Sequence, residues 1–245
     1  MKKFFLFIFI ISGVHLLAQT NQTYNVSATY HTLLIGGSIS PNYSFRQLNN
    51  ADGTVETDAA IAKRNERDQY RIGFNGGVNL AYNFNASFGI EGGLHFAQKG
   101  YDTDKIGLNF PNDPDKPVSY SVQSRFNYLD VPLRANVLFG QRNLRFIASF
   151  GFVTDFLLLA NRVYTYYYVN GASDREDNPA NESYNKVGIS PMASVGLSWR
   201  IKKRYYFHLE PTIRYSLTPV NAKGTAAIRE KLWDTGLKIG LYYGL

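Results

Sequence analysis

His208 and Glu210 stand two places apart in FHLEPTIRYS, residues 207 to 216, which puts both on one face of a strand. A histidine beside a carboxylate is the pair that serves as general base and its orienter, or as two ligands of a metal ion. Ser190, Ser194 and Ser198 recur every four residues, so they share a strand face too. A serine there could act as a nucleophile if a base lay in reach. Arg134, Arg145 and Arg214 have the charge to line an anion path. Against these readings, a metal needs three or four ligands, and the chain has no HExxH motif and no cysteine. The serines share that face with glycine, as small packing residues do. No catalytic, metal or cofactor motif emerges, and the expectation is a non-enzyme without cofactor.

The elements that hold these residues are more informative. In FHLEPTIRYS, Phe207, Leu209, Pro211, Ile213 and Tyr215 interleave with His208, Glu210, Thr212, Arg214 and Ser216, giving one apolar and one charged face. On a soluble sheet the apolar face is the core, whereas on a membrane barrel it meets lipid and the polar face lines the interior. One strand cannot decide between the two.

The ends and the composition narrow the choice. MKKFFLFIFIISGVHLLAQT has two lysines, an apolar run from Phe4 to Val14 and a small residue at Ala18, the pattern of a cleaved secretory signal. Residues 1–18 are read as that signal, 19–29 as a short polar segment and 30–245 as one barrel domain. No later stretch approaches the roughly 18 apolar residues of a membrane helix, so a membrane protein of this sequence must be a closed barrel. Without Lys2 and Lys3 the basic count falls from 26 to 24 against 19 acids, a modest +5 spread along the chain, which excludes a nucleic-acid footprint. Aromatic content of 15% and 21 glycines favour an all-β chain.

Eight segments alternate in whole or in part. Ile72, Phe74, Val78, Leu80 and Tyr82 oppose Arg71, Asn75 and Asn79, and Phe88, Ile90, Leu94 and Phe96 oppose Glu91, His95 and Lys99. Residues 144–169 form a long, nearly apolar run. It is read as strand, with Ile147, Val153, Leu157 and Leu159 sharing a face with Arg145 and Asp155; a buried helix is the alternative. The links strictly alternate between tight (83–87, 140–143, 201–204) and long (about 46–69, 101–120, 170–184, 219–230). In an up-and-down meander this gathers the short turns at one end and the long loops at the other, as in outer-membrane barrels.

The polar faces settle which side is inside. They are rich in glycine, serine and asparagine with few charges of both signs, unlike a water-facing surface. An eight-stranded antiparallel up-and-down transmembrane β-barrel follows, all-β, its lumen filled by side chains. Its interior network is predicted to join Glu91, His95, Asp130, Arg134, Arg145, Asp155, His208, Glu210, Arg214, Asp234 and Lys238. Membrane-interface aromatics are predicted as Tyr82, Trp199, Tyr205 and Tyr243 near the short turns, and Tyr43, Phe45, Tyr166 and Trp233 toward the long loops. Pro41, Pro132, Pro191 and Pro211 fall inside strands, where bulges or protruding strand ends are expected.

Two stretches resemble a family. GIEGGLHFAQKGYD, a glycine-rich strand ending in Lys-Gly, and FNYLDVPLRANVLFG, with its Tyr-Leu-acid-aliphatic-Pro-Leu order, are similar to strands of the PorT-like outer-membrane β-barrel proteins. The resemblance spans about residues 31 to 245 and implies the outer membrane of a Gram-negative bacterium, with both termini on the periplasmic side. The name-giving member is associated with a secretion system and gliding motility, which implies secretion-machinery partners besides outer-membrane lipids. Two other classes stay open: a surface binding module or adhesin using the four long loops, and a lipid A-modifying enzyme.

Overall fold

A computed structural model describes residues 30–110, 113, 115–140, 143–221 and 227–245. The signal and the short polar segment therefore lie outside the described residues.

The strands in chain order are β1 (Leu33–Asn50), β2 (Asp68–Asn83), β3 (Phe88–Thr103), β4 (Ile106–Gly107), β5 (Ser119–Phe139), β6 (Leu144–Tyr167), β7 (Ser173–Pro179), β8 (Val187–Lys202), β9 (Tyr205–Tyr215) and β10 (Ile228–Gly244). Eight of them close a ring in the order β5-β3-β2-β1-β10-β9-β8-β6, with β5 and β6 sealing it. Every neighbour is antiparallel and next along the ring, so the barrel is an up-and-down meander. The two-residue β4 and the hairpin strand β7 belong to the second and third long links, where they widen an upward extension of β5 and β6 into a projecting ribbon.

The first long link holds a helix that its polar composition did not suggest, α1 (Val55–Asn65). Thr54 caps it, its hydroxyl accepting from the Thr57 N–H at 3.3 Å, while Glu56 and Asp58 open the helix and Lys63 and Arg64 close it, as the helix dipole favours. Just before the cap, the Thr54 N–H donates to Asp52 and holds that carboxyl below its usual range.

Registers fix the tilt. The chain of pairs Tyr43↔Thr235, Thr235↔Ile213, Ile213↔Ala193, Ala193↔Phe150, Phe150↔Ala135, Ala135↔Ile90, Ile90↔Tyr82 and Tyr82↔Leu33 returns to β1 ten residues below its start. A shear of ten over eight strands requires a strand tilt of about 40°, and ten residues then climb about 25 Å along the barrel axis. That is the height of the apolar band on outer-membrane barrels.

The faces are those of an inverted protein. Outward-pointing Ile39, Leu133 and Val195 are 64%, 63% and 65% exposed, whereas inward Asp130 and Glu210 are fully buried. An apolar surface circling the whole barrel far exceeds the few hundred Å² that a soluble monomer shows.

None of the four prolines sits at a bulge; the register shifts occur at Tyr70/Phe74, Asn127/Tyr128 and Arg200/Lys202 instead. A residue in an antiparallel strand aims its N–H and C=O at the same neighbour, so a proline disturbs one ladder only. Pro41, Pro132 and Pro211 stay paired with Phe74, Val153 and Leu237 on one flank. On the other flank the ladder skips two pairs and resumes at the same offset, as between Ile39↔Ile239 and Asn42↔Gly236.

A second difference concerns β6. It is strand throughout, but Leu158 is an extra residue between the pairs Tyr128↔Leu157 and Asn127↔Leu159. The parity flips there, so Leu159 faces outward and Ala160 inward. Strict alternation in the sequence cannot reveal such an insertion.

Candidate functional site

The lumen is filled in layers. At the short-turn end Leu34, Ala81, Tyr206 and Tyr242 pack together, and His31 hydrogen-bonds the Tyr206 hydroxyl at 2.7 Å. Glycine makes room for this layer: a Cβ at Gly36 would stand 2.7 Å from the Tyr242 ring, whereas at the outward Gly37 its nearest neighbour is 3.6 Å away. Gly36→Ala is therefore expected to cost roughly 1 to 3 kcal/mol of stability and Gly37→Ala much less, readable as a difference in urea midpoint. Equal midpoints would contradict this packing.

Above it, two carboxylates, on β3 and β9, gather donors from four further strands. The Arg134 guanidinium donates to both oxygens of Glu210 at 2.9 and 3.0 Å and to Glu91 at 2.8 Å. Lys238 and the Tyr242 hydroxyl donate to Glu91 at 2.8 and 2.9 Å, and Asn136 adds a fourth donor at 3.1 Å. Ser194 and Ser149 donate to Glu210 at 2.7 and 3.2 Å. With two acids and two bases, all nearly inaccessible, this layer balances its charge, which offsets the desolvation that isolated ions would suffer.

A second ionic layer follows. Arg214 bonds Asp130 and, at 3.0 Å, Asp234; Lys99 bonds Asp155 at 2.8 Å and lies 3.6 Å from Asp130. Asp130 and Asp155 are register partners on β5 and β6, so the two cations hold like charges that adjacent strands bring side by side. Between the ionic layers lies a cavity of about 60 Å³ lined by polar side chains such as Ser38, Asn42, Asn79 and Asp130 together with the apolar Val153 and Met192, a volume that suits a few waters. Asn42 Oδ1 and Asp130 Oδ1, both without a protein partner, border it.

An apolar plug closes the long-loop end. Tyr101, Phe126, Tyr128 and Leu232 meet Tyr184 and Val220, which arrive from the third and fourth long links. The Tyr184 ring sits edge-on to Phe126 at 4.7 Å, and Arg162 donates to its hydroxyl at 2.7 Å. Arg46 stacks on the Tyr101 ring at 4.0 Å and ties Asp68 to Glu230.

Of the eleven residues predicted for the network, eight form these ionic layers. Arg145 does not join them: it sits at the short-turn end and donates to the Ala86 carbonyl at 2.6 Å. His95 and His208 take neutral partners, Asn79 at 2.8 Å and Ser198 at 3.1 Å. Lys99 is the ionic partner that was missed, although it repeats the parity of Glu91 and His95 and so carried the signal for inclusion.

The serine contact gives Ser198, His208 and Glu210 the order of a catalytic triad. The geometry lacks what a triad needs, because His208 Nδ1 lies 3.8 Å from Glu210, beyond a hydrogen bond, and Glu210 is engaged by Arg134. Ser198 is almost fully buried, and the Tyr242 ring lies over His208 at 4.5 Å. Ser190 and Ser194 are donors to Asp155 and Glu210. Among the described residues no three His, Asp or Glu side chains converge as metal ligands.

The aromatics predicted for the interfaces mostly point outward. Allowing for the tilt, Tyr82, Trp199, Tyr205 and Tyr243 fall at nearly one height, and Tyr43 and Trp233 at another about 25 Å above. Trp233 stacks on Phe45 at 4.3 Å, and Tyr43 meets Tyr70 edge-on. Tyr166 stands apart from both rings: it lies in the ribbon, roughly 25 Å beyond Tyr43, and stacks on Tyr164 and tilts against Tyr120 on the side facing the barrel axis. Its even spacing in YTYYYV hid the change of parity at Leu158.

This closed ring, apolar without and charged within, is matched over residues 17–221 by the model of the outer membrane protein beta-barrel domain family. The chain belongs to that family. The barrel is accordingly a bacterial outer-membrane protein. Solved structures similar to it include Ail of Yersinia pestis (13% identity, 84% of this chain and 98% of that one, TM-score 0.32), Neisserial surface protein A (10%, 85% and 97%, 0.37) and the outer membrane protease OmpT of Escherichia coli (9%, 91% and 100%, 0.42). At such identities they share no more than a fold. Among curated proteins none matches the chain at a significant level.

Proposed function

We propose that the barrel is a non-catalytic, non-conducting scaffold of the outer membrane, with its short turns and termini on the periplasmic side. The observation that carries this is the filled lumen: among the described residues, two ionic layers and an apolar plug obstruct the path along the axis. The aromatic rings 25 Å apart support a membrane embedding between Tyr82, Trp199, Tyr205 and Tyr243 below and Tyr43 and Trp233 above. Planar-bilayer recording tests the reading: the purified barrel should give no stepwise conductance, and stable ohmic steps would overturn it. The PorT-like stretches at GIEGGLHFAQKGYD and FNYLDVPLRANVLFG support an accessory role in protein export, which predicts a stoichiometric envelope partner on purification in mild detergent. A barrel that purifies alone would speak against that role.

A surface-binding role is the second reading, favoured by the ribbon. Its axis-facing side presents Tyr164 stacked on Tyr166, with Tyr120 tilted against both, beside Asp174 and Glu176, and among the described residues β7 pairs along one edge alone. Replacing residues 171–178 by a short glycine-serine link spares Tyr184 and so should leave the barrel folded while abolishing co-purification of its partner. Unchanged co-purification would refute a role for the ribbon.

A further inference from the structure

The charges are sorted along the barrel. Of the 19 acidic residues, five face the lumen (Glu91, Asp130, Asp155, Glu210 and Asp234), and the other fourteen lie on the long-loop side of them. No Asp or Glu stands at the short-turn end. Among the described residues that end carries Arg145, Arg200, Lys202, Lys203 and Arg204. A soluble surface mixes its signs, and the long-loop end of this barrel does so, with acids and bases interspersed along α1 and β7.

These cations also sit at a defined depth. Arg204 donates to the Tyr243 hydroxyl at 2.9 Å, which places its guanidinium at the lower aromatic ring. Arg200 is one residue from Trp199 and is held by Asn143 Oδ1 at 2.8 Å, so it is braced across the neighbouring turn. Lys202 and Lys203 are exposed in the turn between β8 and β9, a few ångströms beyond the ring. Tyrosine and tryptophan mark the level of lipid headgroups, and basic side chains beside them face the phosphates.

We propose that the short-turn end is a recognition surface for anionic glycerophospholipid headgroups of the leaflet it meets, centred on the β8–β9 turn. The inference rests on the membrane reading above. Charge complementarity selects the occupant: a cationic rim without a single carboxylate side chain favours a phosphate diester carrying net negative charge over a zwitterionic headgroup, whose ammonium it would repel. The surface would also set orientation, since the long-loop end offers no such excess.

The test reconstitutes the full chain into vesicles of equal phosphatidylglycerol and phosphatidylcholine, extracts it gently, and measures the lipid retained by native mass spectrometry. The wild-type barrel should hold phosphatidylglycerol several-fold above the mixing ratio. Lys202→Gln/Lys203→Gln/Arg204→Gln should bring retention back toward that ratio, while Lys63→Gln/Arg64→Gln/Arg67→Gln at the long-loop end should not. Wild-type retention at the mixing ratio, or undiminished enrichment in the first variant, would overturn the proposal. Failure of the wild-type chain to enter pure phosphatidylcholine bilayers would instead refute the membrane reading on which it stands.

Discussion

Arg134→Met should destabilise the barrel by about 3 to 5 kcal/mol, the cost of leaving buried charge without its partner. The guanidinium is the only cation that bonds both Glu91 and Glu210 within 3.0 Å among the described residues, and the methionine replaces its volume without its donors. Lys238 remains, at 2.8 Å from Glu91 and 3.6 Å from Glu210, and cannot satisfy both. Arg145→Met is the comparison: it removes one bond to a turn carbonyl, so a loss of about 1 kcal/mol is expected. Urea unfolding of each variant in lipid vesicles measures the difference. The double variant Arg134→Met/Glu210→Gln should recover part of the loss, because it removes an orphaned carboxylate along with its partner. Similar midpoints for Arg134→Met and Arg145→Met would mean that the central layer does not hold the barrel together.

The second large effect concerns the outer face. Ile39 points outward near the middle of the 25 Å band, and Ser40, the next residue, lines the interior cavity. Ile39→Arg should cost roughly 2 to 4 kcal/mol, as a charge at the bilayer midplane does. Ser40→Asn places a polar group beside the cavity and should be nearly neutral. The fraction of each variant that acquires protease resistance on insertion into vesicles reads out the contrast. Equal tolerance of the two would refute the assignment of faces.

Much of this was legible in the sequence because a barrel repeats one rule along every strand. Alternation named the inner and outer residues of FHLEPTIRYS correctly, and the order of tight and long links gave the strand number. What escaped was whatever breaks period two. One inserted residue, Leu158, turned Leu159 and the tyrosines beyond it, and so misplaced Tyr166. For the prolines the sequence suggests bulges or protruding strand ends, whereas a missing N–H harms only the ladder it faces. Arg145 and Lys99 show the limit for charges: parity says that a side chain points inward, but only the strand tilt says at what height. That height separates a carbonyl cap at the turn from a bridge between Asp130 and Asp155. α1 was missed because its signals, the Thr54 cap and the ordered end charges, sit in a link whose composition reads as loop.

The central claim is that the greasy face of every strand meets lipid while the charged face is enclosed. The chain has no cysteine, so single thiols can be introduced and spin-labelled one at a time in the barrel reconstituted in bilayers. Labels at Ile39, Val78, Val195 and Ile213 should collide with oxygen dissolved in the membrane and be shielded from a water-soluble nickel reagent. Labels at Ser38, Ser40 and Thr212 should be shielded from both. High nickel accessibility at the first four positions, or oxygen accessibility that does not alternate between the two sets, would contradict the inverted barrel.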